Sequence, residues 1–214
     1  MEHTVEYSKC RKLINNADVL LFSHGGIFDV GWWVSRYTNS LYSHVGLAEW
    51  FYDRLMCIEF REFHGSRAYP VSEYLKEGKT IDVFRAAPNV EVPYLDFTDI
   101  QEIIIGSNKY QLTDEVIRQI LDTSHSLLGR HYSWWTIWQL AKTSIPFIRL
   151  RQRCQKYDDK EPDAKKFVCS TLVSYAYRKH YLDPTPYLPD SYTTPGDIAR
   201  SSLFVKLFRI ISDL

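Results

Sequence analysis

The chain lacks an excess of charge of either sign. Its 214 residues hold 26 Lys and Arg against 26 Asp and Glu, so no basic field gathers nucleic acid non-specifically. Helix-turn-helix and zinc-finger signatures are missing as well, and nucleic acid is not an expected partner. No uninterrupted run of about 18 apolar residues occurs, which argues against a membrane-spanning helix. The opening stretch Met1–Tyr7 carries acid early and has no apolar core of the kind a secretory signal needs. A cytoplasmic protein is the expectation. The four cysteines, Cys10, Cys57, Cys154 and Cys169, are scattered and form no C-x-x-C pair. Neither a disulfide framework nor a structural zinc is expected, and no metal or other cofactor. Internal repeats are absent, and no second domain stands out. The expectation is one domain over residues 1–214, with insertions near 87–112 and 133–166.

What is present reads as mixed strand and helix. Residues 5–16 predict a short helix. Val19–Phe22 predicts a buried strand, His44–Ala48 and Met56–Phe60 two more, and the alternation of residues 81–86 a half-buried one. His24-Gly25-Gly26 reads as a turn, with a short helix within 27–37. Ile103–Ile105 reads as a strand inside a stretch broken by Pro88 and Pro93. Thr113 is a good N-cap for a helix whose first turn carries Asp114 and Glu115 and whose end is marked by Gly129. A second helix is expected over Ser133–Ser144, then an exposed charged loop over 149–166. The helix that opens at Cys169 is expected to run to Tyr181, and Leu203–Ile210 to form a closing strand.

Two of these segments carry chemistry. A hairpin turning near Phe51-Tyr52 would set His44 opposite Glu59, Gly46 opposite Cys57 and Ala48 opposite Leu55. Alternation then gives His44 and Glu59 one face, and Val45, Leu47, Ile58 and Phe60 the other. A carboxylate beside an imidazole fixes its tautomer and stabilises its charged form. Far along the chain, Cys169 begins an apolar stripe that continues through Leu172, Val173, Ala176 and Tyr177. A cysteine at a helix start has the unpaired N–H groups and the dipole that favour a thiolate. The backbone N–H of Cys169 or Ser170 can also receive an oxyanion. Each signal has an ordinary reading by itself: a core cysteine, a satisfied histidine, a cross-strand pair. Cys57, inside a strand, is the weaker nucleophile candidate. His64, His125 and His131 have no evident partner.

The order of these motifs resembles the permuted NlpC/P60-like, papain-like hydrolases of the YiiX/YaeF type. The resemblance is carried by Ala17–Phe22, by Thr38–Gly46 with its Ser43-His44, by Leu128-Gly129-Arg130-His131-Tyr132, by Phe167–Tyr177 and by Thr194–Ser201. It implies an α+β, circularly permuted papain-like fold, with an antiparallel sheet or small barrel packed against the cysteine helix. Cys169 would be the nucleophile, His44 the base and Glu59 the orienting residue. Tyr132, with Ser170 and Ser43, would line the oxyanion and substrate site. The implied activity is a thiol hydrolase that cleaves an amide bond in a small peptide, a cell-wall peptide or an amino-acid amide. Two alternatives stand beside it. One is a lipid acyltransferase or deacylase that uses the aromatic-then-basic stretch 134–153 at a membrane surface. The other is a catalytically inactive binding module of the same fold. Oligomeric state is not legible.

Overall fold

The computed structural model describes residues 4–23, 40–87, 89–99, 102–132, 167–186 and 188–213. The expected turn at His24–Gly26, the helices within 27–37 and over Ser133–Ser144, and the loop over 149–166 lie outside the described residues.

A seven-stranded sheet organises the chain. Its order is β1 (Thr4–Glu6), β9 (Phe204–Ile211), β6 (Ile81–Ala86), β2 (Val19–Ser23), β3 (Tyr42–Phe51), β4 (Arg54–Arg61) and β5 (Gly65–Pro70). Every pairing is antiparallel except that of β1 with β9. The parallel pairing draws Thr4–Glu6 into the sheet. The helix expected over 5–16 therefore shrinks to α1 (Tyr7–Cys10) and a 3₁₀ turn at Arg11–Leu13. The stretch around Ile103 is one arm of a long hairpin. There β7 (Asn89–Asp99) pairs with β8 (Glu102–Gln111) in a two-stranded sheet of its own.

Helices cover both faces of the large sheet. On one face lies α4 (Cys169–Arg178), beside α3 (Asp114–His125) and α5 (Pro195–Ala199). Val45, Leu47, Ile58 and Phe60 meet Leu172, Val173 and Ala176 in one buried cluster. Alternation along β3 and β4 supplies that face, as period-2 side chains must. On the other face, Leu20, Phe22, Ala48 and Cys57 pack against Tyr7 of α1 and Val71, Tyr74 and Leu75 of α2 (Val71–Lys76). Thr113 caps α3 by accepting from the Val116 N–H, as expected, but the helix closes at Ser126, and Gly129 sits in the turn beyond it with φ of 79°. The cysteine helix ends at Arg178, three residues short of Tyr181, which takes a left-handed φ of 66°.

The β3–β4 register corrects an expectation. Ala48 faces Cys57 and Trp50 faces Leu55, around a turn at Tyr52-Asp53. The pairs His44–Glu59, Gly46–Cys57 and Ala48–Leu55 are therefore not the directly opposed ones. Partners on β4 lie two residues further along, an even shift that keeps every side chain on its expected face. His44 and Glu59 become diagonal neighbours instead of opposite ones, a separation long side chains still span. No helix among the described residues is long and apolar enough to cross a membrane.

Candidate active site

β3 enters the sheet irregularly. Phe22 pairs with His44 and Ser23 with Tyr42, so Ser43 is the extra residue of a bulge. Bulges re-aim the side chain beside them. On the other side, the β3–β4 ladder stops at Leu47–Ile58. His44 thus stands at an end of the sheet where β3 has left its β4 partner. Its ring packs at 5.3 Å from that of Phe22, on the face opposite the body of the cysteine helix.

Glu59 lies on that same face and is fully buried. One of its oxygens, Oε2, bonds to His44 Nε2. The other, Oε1, accepts from Arg67 Nε at 2.9 Å. Arg67 is the direct cross-strand partner of Glu59 on β5. The Tyr74 hydroxyl, buried in α2, lies beside the carboxylate and the guanidinium without a well-formed hydrogen bond of its own.

Cys169 approaches from the start of α4. Although that helix packs on the Val45 face, its first residue reaches the open end of the sheet. There it lies within electrostatic reach of the His44 imidazole. The N-cap is Val168, which has no side-chain acceptor to offer, so the N–H groups of the first turn carry no capping bond. Cys169 is 6% exposed. Tyr132 is half-buried and packs against the core cluster that holds Cys169.

Electrostatics follow from burial and partners. Burial opposes the charged form of His44, but the Glu59 carboxylate and Cys169 outweigh it and push the imidazole up to about 10. Burial likewise opposes the Glu59 carboxylate, and His44, Tyr74 and Arg67 together bring it down to about 2. The imidazole is therefore held as a cation and the carboxylate as an anion. Burial raises the Tyr132 hydroxyl well above its ordinary value, so it stays a donor. Cys57 is also pushed up by burial, and Cys10 to about 11 for the same reason, which leaves both as thiols.

Of the residues expected at the site, Cys169, His44, Glu59 and Tyr132 come together. Ser170 follows Cys169 in the helix, and its hydroxyl is taken up in donating to the Thr193 carbonyl at 2.6 Å. Ser43 is the buried bulge residue itself. His125 is not partnerless: its Nε2 meets Glu49 Oε2 at 2.7 Å, away from this cluster. Among the described residues, His64 Nδ1 meets the Glu62 carbonyl at 3.0 Å.

Three contributors were not anticipated. Arg67 and Tyr74 come from β5 and α2, neither of which has a strong sequence pattern. Gly46 was placed in the strand but not given a reason. A Cβ there would lie 2.3 Å from Cys57 Sγ and 2.8 Å from the Ile58 carbonyl oxygen. The signal that could have marked it is a glycine inside an otherwise apolar strand, which often means a close approach.

No family model matches the chain, and no curated protein matches it. Among solved structures, the crystal structure of the metalloprotein YiiX from Escherichia coli O157:H7, also described as DUF1105, is similar. It aligns with a TM-score of 0.53 at 12% identity, over 91% of this chain and 96% of that one. At that identity the likeness is one of fold. The chain has a mixed α+β fold like that of YiiX.

Proposed function

We propose that this protein is a thiol hydrolase acting on an amide bond, with a circularly permuted papain-like arrangement of its site. The observation that supports it best is an imidazole whose Nε2 is held by a buried carboxylate, with a buried cysteine at a helix start within its electrostatic reach. Nucleophile, base and orienting residue come from α4, β3 and β4, and geometry rather than chain order defines such a triad.

In the proposed reaction Cys169 Sγ attacks the carbonyl carbon of the substrate. A C–S bond forms and the carbonyl electron pair moves to oxygen. The N–H groups of the first turn of α4, with the Tyr132 hydroxyl, face that developing charge. The proton held on His44 passes to the leaving nitrogen as the C–N bond breaks. Water then gives a proton to His44 and its oxygen to the acyl carbon. The C–S bond breaks, and the acid product leaves. Glu59 keeps the ring oriented throughout and never needs to change charge. Substrates of the expected class are a small peptide, a cell-wall peptide or an amino-acid amide. YiiX is described as a metalloprotein, but among the described residues of this chain no three His, Cys, Asp or Glu side chains gather as metal ligands. No step here is assigned to a metal.

Iodoacetamide labelling read by mass spectrometry tests this reading. Cys169 should label faster than Cys10, Cys57 or Cys154, and His44→Ala should slow it. Release of amine from a panel of dipeptides and γ-glutamyl amides should depend on Cys169. Equal labelling of all four thiols, with no amide cleaved, would sink the proposal.

A further inference from the structure

We infer that Arg67 is a positioning residue of the site: it holds the Glu59 carboxylate in the one orientation that presents Oε2 to His44. The inference rests on reading Cys169 and His44 as the catalytic pair.

A carboxylate has two oxygens and a rotatable bond to its stem. Bonded to His44 alone, Glu59 could turn, and burial would favour its neutral form. Arg67 removes both freedoms. Its Nε takes Oε1 at 2.9 Å from the directly opposed position on β5. The guanidinium is itself fixed, because it lies 4.1 Å over the Tyr69 ring on the same strand. The two edges of the carboxylate are thus assigned to two different partners. Planar recognition of this kind suits Arg better than Lys.

The groups that face Glu59 come from every side. His44 comes from β3, Arg67 from β5, Tyr74 from α2 and Cys57 from its own strand. Arg61, on the same strand, and Tyr132 also lie within electrostatic reach of this cluster. Among the described residues, Arg67 is the permanent cation hydrogen-bonded to the carboxylate, so it helps keep Glu59 ionised when His44 hands its proton to the leaving group. Tyr74 adds a buried hydroxyl with no well-formed bond, ready to take whichever oxygen is released if Arg67 is removed.

The test compares Arg67→Met, Arg67→Lys and the wild type as full chains. The Glu59 carboxyl is followed by carbon NMR, assigned by its disappearance in Glu59→Gln. In Arg67→Met its titration midpoint should rise by about one pH unit or more. Alkylation of Cys169 at neutral pH should slow about tenfold, and kcat on a cleaved amide should fall while KM holds. Arg67→Lys should recover part of each, because it returns the charge without the fork. A lower melting temperature with the Glu59 midpoint and the alkylation rate unmoved would overturn the role and leave Arg67 a structural residue. Should Arg67→Met fail to fold, the same readings on Arg67→Gln, which keeps a donor, decide in the same way. A wild-type alkylation rate in His44→Ala would instead overturn the catalytic pair, and the role of Arg67 with it.

Discussion

Two buried carboxylates in this sheet invite comparison, Glu59 on β4 and Asp82 on β6. Each is almost inaccessible to solvent. Each faces an arginine directly across the strands, Arg67 for Glu59 and Arg209 for Asp82. Arg209 takes both Asp82 oxygens, at 2.7 and 2.9 Å. Lys206 adds a contact at 2.8 Å, and the Tyr42 hydroxyl donates at 2.6 Å. Both carboxylates are held below the ordinary range: burial opposes this in each case, and the attached cations and donors outweigh it. The difference lies in the other partner. Glu59 holds an imidazole that can give up its proton, and that imidazole faces a thiol at a helix start. Asp82 is bonded by arginine, lysine and tyrosine, and among the described residues no thiol is one of its hydrogen-bonding partners. A buried ion cluster is therefore not in itself a site. It becomes one when a member can exchange a proton with a group that attacks.

The sharpest way to break this comparison is Cys169→Ser. It should abolish amide cleavage and the fast alkylation while leaving the melting temperature near that of the wild type. Next come the two carboxylates themselves. Glu59→Gln should lower the alkylation rate of Cys169 about a hundredfold, as expected when a group that orients the base is lost. Asp82→Asn should instead destabilise the fold by about 3–5 kcal/mol, the usual cost of breaking a buried charge cluster. The reactivity of Cys169 in its folded fraction should be unchanged. Loss of thiol reactivity in Asp82→Asn would erase the distinction.

The pH dependence of stability separates the two clusters at its alkaline end. His44 is raised in the folded state. Its contribution is complete below the unfolded imidazole value of about 6.5 and is lost as pH rises through about 10. Urea unfolding should show stability declining over that window. His44→Gln should flatten the decline, and Asp82→Asn should leave it in place. Glu59 and Asp82 are lowered. Their contributions are complete above the unfolded carboxylate values of about 4.3 and 3.9. That of Glu59 is lost as pH falls to about 2, and that of Asp82 is lost below its ordinary value. A smaller effect is expected of Gly46→Ala, about 1–3 kcal/mol from overpacking against Cys57 and the Ile58 carbonyl. Cys57→Ala should relieve part of it. Smallest is Thr113→Ala, about 1 kcal/mol for the lost cap of α3. It lies away from both carboxylates and should not touch Cys169 reactivity.

Much of the site was legible because its logic is parity. Alternation placed His44 with Glu59 whatever the exact register, and an even displacement cannot undo that. The register itself was not legible. Its turn, Tyr52-Asp53, contains no glycine or asparagine, and Tyr52 itself takes the left-handed φ of 54°. Asp53 is a turn-favouring type, but Tyr52 beside it is not, so the residue types do not mark the turn's centre. The start of α4 was legible because a cysteine opens a clean apolar stripe. β5 was not, since Gly65–Pro70 holds too little apolar alternation to read as a strand, and with it Arg67 went unseen. The split of residues 4–13 into strand, helix and 3₁₀ turn depends on pairing with β9, some two hundred residues away.

Gly65 has a consequence for the sheet as a whole. A Cβ there would lie 2.4 Å from the Arg130 carbonyl oxygen. The chain comes that close because the Ser66 N–H donates to that oxygen at 2.8 Å and the Gly129 N–H donates to Ser66 at 3.1 Å. This short bridge lies along the outer side of β5, the last strand of the sheet. At the opposite margin β1 is three residues long. Unpaired strand margins are where folded proteins add foreign strands and aggregate. Among the described residues, one margin is stapled by a loop and the other is cut short. The loop that leads to Tyr132 thus also takes up the edge hydrogen-bonding groups of β5 at Ser66.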